Sequence, residues 1–224
     1  MPTDQIIIPA LIPEDPQDLR DELQGMPWLY EVHIDIVDGQ FVDSLSWPFE
    51  PAGEPEQIAD ILEQYSAEID LMCLQPLPIA EVWAATGAER LVLHAETISV
   101  DDFVYLADRF PDVSIGVSML NDTEWSVIEP FIPVADFIQL MGILVIGAQG
   151  APFDERVLER IGAVTAADPA IPISVDGSVN AETIPRLRQA GVDRYVVGSA
   201  LLRAEDREMQ YQYLDSLARP QLSA

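Results

Sequence analysis

His33 and Asp35 stand two residues apart in the run His33-Ile34-Asp35-Ile36-Val37-Asp38-Gly39, and Asp176 ends a second apolar run, Val175-Asp176-Gly177. Side chains along a β-strand alternate between faces, so His33 and Asp35 share one. If both runs are strands of one barrel, their C-terminal ends meet at its mouth, and an imidazole and two carboxylates converge there. A buried carboxylate pair is costly unless a proton or a cation is shared between them. A divalent metal meets that need, and imidazole and carboxylate are ligand types it takes readily.

The elements that must position these groups are legible along the chain. Apolar β-type runs fall near 5–9 (QIIIP), 29–36 (LYEVHIDI), 68–74 (EIDLMCL), 90–94 (RLVLH), 112–118 (DVSIGVS), 135–141 (ADFIQLM), 171–176 (IPISVD) and 193–198 (DRYVVG). Their spacing suits one strand plus one helix each time, with long loops after the second and sixth strands, 39–55 and 142–152. Helical periodicity fills the gaps. Ile58, Ile61 and Leu62 form one stripe within 56–65, and Val157, Leu158, Ile161 and Val164 another within 154–164. Asn180 is placed to cap a helix that Gly191 stops, and Ser99 or Asp101 to cap the fourth. No linker divides the chain. The pattern predicts an α/β fold with one domain over 1–224, a (β/α)8 TIM barrel, with a C-terminal helix and tail over 204–224. An open doubly wound sheet is the alternative, but the turn after the first strand reads PALIPEDP and lacks a glycine-rich loop.

Composition narrows the chemistry. The 224 residues carry 39 Asp+Glu against 11 Lys+Arg, a formal charge of −28. All 11 basic residues are arginine. Without lysine there is no Schiff base and no P-loop ammonium. Without a basic face, binding to nucleic acid or to an anionic membrane is not expected. Residues 1–150 hold 28 of the acidic residues and 3 of the arginines, so the C-terminal third, with 11 and 8, repels an anion least. A single cysteine, Cys73, excludes an internal disulfide and suits the cytoplasm, as does an N-terminus without a basic, apolar leader. No apolar run is as long as a membrane span.

At this level the chain resembles the ribulose-phosphate 3-epimerase family. HIDIVDGQFV (33–42) matches that family's strand-two signature, and LHAE (93–96) its strand four. VDGSVN (175–180) matches strand seven, with Ser178 where a second glycine is usual, and VGSA (197–200) matches the strand-eight turn. The likeness runs in order over roughly residues 5–203. It implies a barrel of the ribulose-phosphate-binding type and an isomerase that interconverts D-ribulose 5-phosphate and D-xylulose 5-phosphate in the pentose phosphate pathway. The implied cofactor is a divalent cation (Zn, Fe, Mn or Co) on His33, Asp35, a strand-three residue and Asp176. Asp35 and Asp176 would then exchange the C3 proton from opposite faces of the sugar. The resemblance also implies a cradle for the phosphate of a small ketose at Gly147, Gly150, Gly177, Ser178, Gly198 and Ser199. It has Met141 lining the site, and, since the family often self-associates, it suggests a homo-oligomer.

Several positions depart from the family pattern. Its strand-three motif, Asp, an apolar residue, then the ligand His, aligns on Asp70-Leu71-Met72 and puts Met72 at the ligand position, where a thioether is a poor donor. Cys73 replaces it only across a bulge and otherwise packs in the core. His94 either approaches the site from strand four or is a hydrogen-bonded barrel histidine. The family's strand-one serine aligns with Pro13, and its glycine-rich loop after strand six reads LVIGAQG (144–150). Val37 and Leu74 replace two methionines. Trp47, in the long loop after strand two, is a candidate to close over substrate, while Trp28, Trp83 and Trp125 read as core. Three functions remain open: a metal-assisted sugar-phosphate 3-epimerase, a non-catalytic or repurposed barrel that binds a small anion or a protein, and a different ketose epimerase with a weakened metal site or none.

Overall fold

Each short strand has an apolar face that it cannot bury alone, and closing the strands on one another solves this for all of them together. In the computed structural model, which describes residues 5–147 and 150–220, the strands are β1 (Ile7–Leu11), β2 (Glu31–Val37), β3 (Ser66–Met72), β4 (Arg90–His94), β5 (Ser114–Met119), β6 (Phe137–Met141), β7 (Ile173–Asp176) and β8 (Arg194–Val197). Every neighbouring pair is parallel and β8 pairs back to β1, a closed TIM barrel. The helices are α1 (Pro16–Gln24), α2 (Ala59–Gln64), α3 (Pro76–Thr86), α4 (Val100–Arg109), α5 (Trp125–Ile128), α6 (Arg156–Ala167), α7 (Ile184–Ala190), α8 (Ser199–Leu202) and α9 (Arg207–Ala218). Among the described residues, no helix is long and apolar enough to cross a membrane. Ala148 and Gln149 of the loop expected over 142–152, and 221–224 of the expected tail, lie outside the described residues.

The main core is the shell between barrel and helices. Ile34, Ile36, Ile69, Leu71, Leu91, Leu93, Leu140 and Val175 point outward into it, against Leu19, Ile61, Trp83, Phe103 and Ile161 of the helices. Fully burying each such side chain is worth about 1.5–3 kcal/mol, so this shell carries the fold. The alternate residues face the barrel interior, and there the chain is largely polar.

Local chemistry sets the helix ends. Ser99 caps α4, its Oγ accepting from Asp102 N. Asn180 accepts from the backbone N–H of Glu182 and Thr183, so it caps a turn, and α7 begins only at Ile184. The stretch expected as one helix over 56–65 is a 3-10 turn, Pro55–Ile58, followed by α2, because Ile58 leaves the helical region (φ −119, ψ 20).

Candidate active site

In-register pairing sets which interior side chains share a level. His33 pairs with Glu68, Asp35 with Asp70 and Val37 with Met72. On the far side, Gln139 pairs with Ser174 and Met141 with Asp176. At the base of the barrel, Arg90 Nε donates to Glu68 Oε2 at 2.6 Å, and its guanidinium lies 4.0 Å from the centre of the Phe137 ring. Arg194 donates to Glu31 at 2.6 Å and to Glu68 at 3.3 Å. Phe137 fits because Gly116 faces it: a Cβ there would stand 2.4 Å from the ring.

One level up, His33 Nδ1 donates to Glu68 Oε1 at 2.8 Å, and His33 Nε2 lies 3.1 Å from Asp35 Oδ1. Asp70 accepts from His94 Nε2 at 3.2 Å and from Gln139 Nε2 at 2.7 Å. His33, Asp35, Asp70 and Asp176 each present one donor atom, and all four atoms lie within 4.8 Å of one another.

The electrostatics follow from this crowding. Burial opposes a charge on His33, but its contacts with Asp35, Asp70 and Glu68 outweigh burial and hold it well above the usual imidazole range. Burial alone pushes Glu68 up, yet His33, Arg194 and Arg90 bring it well below the carboxylate range. Asp70 is likewise raised by burial and brought down to about 2, chiefly by His94 and His33. His94 is itself raised, Asp70 overcoming burial. Asp35 is raised by burial, and Asp176 by burial and Asp35, up to about 8. Two of the three carboxylates at the site thus hold a proton more tightly than in water.

Above the four lies a cavity of about 220 Å³. Asp35, Asp176, Met72 and Met141 line its floor, and Gly147, Gly150, Gly177, Ser178, Gly198 and Ser199 its wall. The wall exists because the ends of β6 and β7 approach unusually closely. Gly142 N donates to Asp176 O at 2.6 Å, and a Cβ on Gly142 would sit 2.1 Å from Gly177 O. Gly177 and Ser178 then take left-handed backbone (φ 94 and 53) to turn back toward the cavity. The loops after β2 and β6 meet over the site. Ser44 Oγ donates to Gly147 O at 2.8 Å, and Phe41 and Val42 pack on Ile143 and Ile146. Asp38 shapes the first loop, its carboxylate accepting from the backbone N–H of Gln40, Phe41 and Leu74.

Of the residues the sequence singled out, His33, Asp35 and Asp176 meet in the cluster, and Met72, Met141, Gly147, Gly150, Gly177, Ser178, Gly198 and Ser199 line the cavity, while the readings of Met72, Leu74, Pro13 and Trp47 change. The strand-three member of the cluster is Asp70; Met72 sits one level higher and packs with Val37 and Met141. A slip of two residues in aligning a strand preserves the face, so alternation could not expose it. Leu74, a replaced-methionine position on that slipped alignment, is 47% exposed. On strand one, Ala10 lines the cavity, paired with His33, while Pro13 lies past the strand end, its carbonyl accepting from Trp47 N. Trp47 is no lid: it is 1% exposed and packs edge-on against Trp83. His94 does not enter the cluster; it holds Asp70, and Phe41 covers its ring at 5.1 Å. Cys73 packs outward in the core.

Sequence reasoning missed Asp70, Glu68, Gln139 and Arg203. The first two carried a signal, since Glu68-Ile69-Asp70 repeats on strand three the alternation of His33-Ile34-Asp35. Arg203 is singled out only in three dimensions. The other ten arginines each bond a carboxylate or a backbone carbonyl. Arg203 has no side-chain partner among the described residues, and its guanidinium reaches to 4.0 Å from the position of a Cβ on Gly150.

The chain is similar to known proteins over nearly its whole length. The sequence model of the ribulose-phosphate 3 epimerase family matches residues 6–202. The ribulose-phosphate 3-epimerase of Mycobacterium tuberculosis is 28% identical over 210 residues, covering 90% of this chain and 87% of the relative. That of Helicobacter pylori is 24% identical over 220 residues, covering 96% and 98%. Among solved structures, 3-hexulose-6-phosphate synthase from Salmonella typhimurium superposes with a TM-score of 0.70 at 13% identity, covering 96% of this chain and 98% of the other, a likeness of fold.

Proposed function

The chain belongs to the ribulose-phosphate 3-epimerase family, and from that premise we propose that it interconverts D-ribulose 5-phosphate and D-xylulose 5-phosphate by passing the C3 proton between Asp35 and Asp176. The observation that carries this reading is the pair itself: carboxylates from β2 and β7 on the floor of one cavity, both with raised proton affinity. A general acid or base works best when its pKa lies near the working pH, and burial moves both groups in that direction. With one carboxylate on each face of C3, proton removal by one and return by the other inverts the centre.

The donor set fits a divalent cation. Three carboxylates within 4.8 Å need positive charge among them, and Glu68 fixes His33 so that Nε2 faces the carboxylates. His33, Asp35, Asp70 and Asp176 would hold the ion. When bound, it would supply positive charge to the enediolate oxygens left when the C3 proton departs. The phosphate would lie along the wall of Gly147, Gly150, Gly177, Ser178, Gly198 and Ser199, held by backbone N–H groups. Arg203, without a side-chain partner among the described residues, supplies the cation at that end, where the chain is least acidic. The same reading puts the protein in the pentose phosphate pathway and in the cytoplasm. The test is conversion of D-ribulose 5-phosphate to D-xylulose 5-phosphate by metal-stripped protein reloaded with Mn²⁺, Fe²⁺, Co²⁺, Zn²⁺ or Mg²⁺. Turnover that depends on one of these supports the proposal; absence of turnover with all of them refutes it.

A further inference from the structure

We propose that Asp70 resets the cation preference of this centre toward hard, oxygen-preferring ions, Mn²⁺ and Mg²⁺, and away from Zn²⁺. The inference rests on reading the four-residue cluster as a metal centre. The family pattern supplies two imidazoles and two carboxylates; this chain supplies one imidazole, His33, and three carboxylates. The formal charge of the donors changes from −2 to −3, and one borderline nitrogen becomes a hard oxygen. Carboxylate oxygen suits Mg²⁺ and Mn²⁺, whereas imidazole favours Zn²⁺.

Asp70 is a built member of the site. It is fully buried and is the in-register partner of Asp35. Each of its oxygens is held, Oδ1 by His94 and Oδ2 by Gln139. Such outer hydrogen bonds orient a ligating carboxylate and keep it ionised. The second imidazole of the chain cannot replace it. The chain contains only two histidines, and His94 directs Nε2 at Asp70 while its Nδ1 is buried without a partner among the described residues. The thioether of Met72 packs among apolar side chains.

The test is calorimetric titration of metal-stripped full-length protein with MnCl₂, MgCl₂ and ZnCl₂, with the EPR spectrum of bound Mn²⁺ as a second readout. Wild type is compared with Asp70→His. The ratio of Zn²⁺ to Mn²⁺ affinity is expected to rise at least about tenfold in the variant. A ratio that stays the same or falls overturns the proposal. Asp70→Asn keeps the shape if the histidine variant does not fold, and it should weaken Mn²⁺ more than Zn²⁺; equal or opposite losses overturn the proposal. Tight binding with an unshifted ratio removes only this inference. Failure of the wild type to bind any of the three ions removes the metal reading as well.

Discussion

Replacing Glu68 by Gln changes a single atom beneath the site and tests how the imidazole is aimed. Glu68 is 1% exposed and ionised, so it only accepts hydrogen bonds. Arg90 and Arg194 occupy Oε2, and His33 Nδ1 donates to Oε1. In the variant the two guanidiniums keep the amide oxygen on their side, and the amide NH₂ turns toward His33. When a metal is bound and the ring is neutral, Nδ1 must then accept, the ring proton moves to Nε2, and the lone pair that His33 would offer the ion is lost. Loss of an outer partner of this kind typically costs 10–100-fold in metal affinity, about 1.4–2.7 kcal/mol. Breaking a buried ion pair on one side adds a cost to folding of about 3–5 kcal/mol, or roughly 6–20 °C in Tm for a chain of this size. Calorimetry with Mn²⁺ measures the first effect, thermal unfolding the second, and ¹⁵N shifts of His33 report the tautomer. Metal affinity within twofold of wild type, with the proton still on Nδ1, would refute the reasoning.

Other outcomes follow from the same geometry. Asp176→Asn should lower epimerisation at least about 10³-fold, since it removes one acid–base group and one ligand; Tm at pH 8 should not fall, because the lost carboxylate is one whose ionisation the fold resists, and more than a tenth of the activity remaining would count against the two-carboxylate step. Chelator-treated protein should lose stability as pH rises from about 4 to about 8. The folded Asp176 holds its proton to about 8 against an ordinary value of 3.8, so its contribution is complete below the unfolded pKa and disappears as pH passes the folded one. Saturating metal should flatten this slope in a pH series of melting curves, and equal slopes with and without metal would contradict it. Glu68 and Asp70 act in the opposite direction, and their contribution is lost as pH drops below about 4. Arg203→Gln should raise KM for D-ribulose 5-phosphate and weaken inhibition by inorganic phosphate by about tenfold each. Its kcat should stay within about threefold, since a remote phosphate contact binds substrate and transition state alike; an unchanged phosphate inhibition constant would show that Arg203 points elsewhere.

How much of the site was legible depended on whether a residue's partners are near in sequence. His33 and Asp35 announce themselves because two residues along a strand always share a face. Asp70 carried the same signal, but a strand read alone does not show its level in the barrel. Only the pairing of Asp35 with Asp70 distinguishes Asp70 from Met72, two residues on. Trp47 shows the opposite failure. Its place in a long loop suggested a lid, and only the packing against Trp83 reveals an anchor that fixes the base of that loop.

By itself the sequence determined the barrel, the His33–Asp35–Asp176 constellation and the exclusion of lysine chemistry. Those follow from alternation, spacing and composition, which are local or additive properties of the chain. Tertiary structure alone decided which third carboxylate joins them, which groups orient the imidazole, and which arginine beside the cavity has no side-chain partner among the described residues. These depend on register between strands and on distances between residues far apart in the chain, such as Asp70 to Gln139 and Arg194 to Glu31. Closing eight strands fixes those distances all at once, and no segment carries that information before the ring is complete.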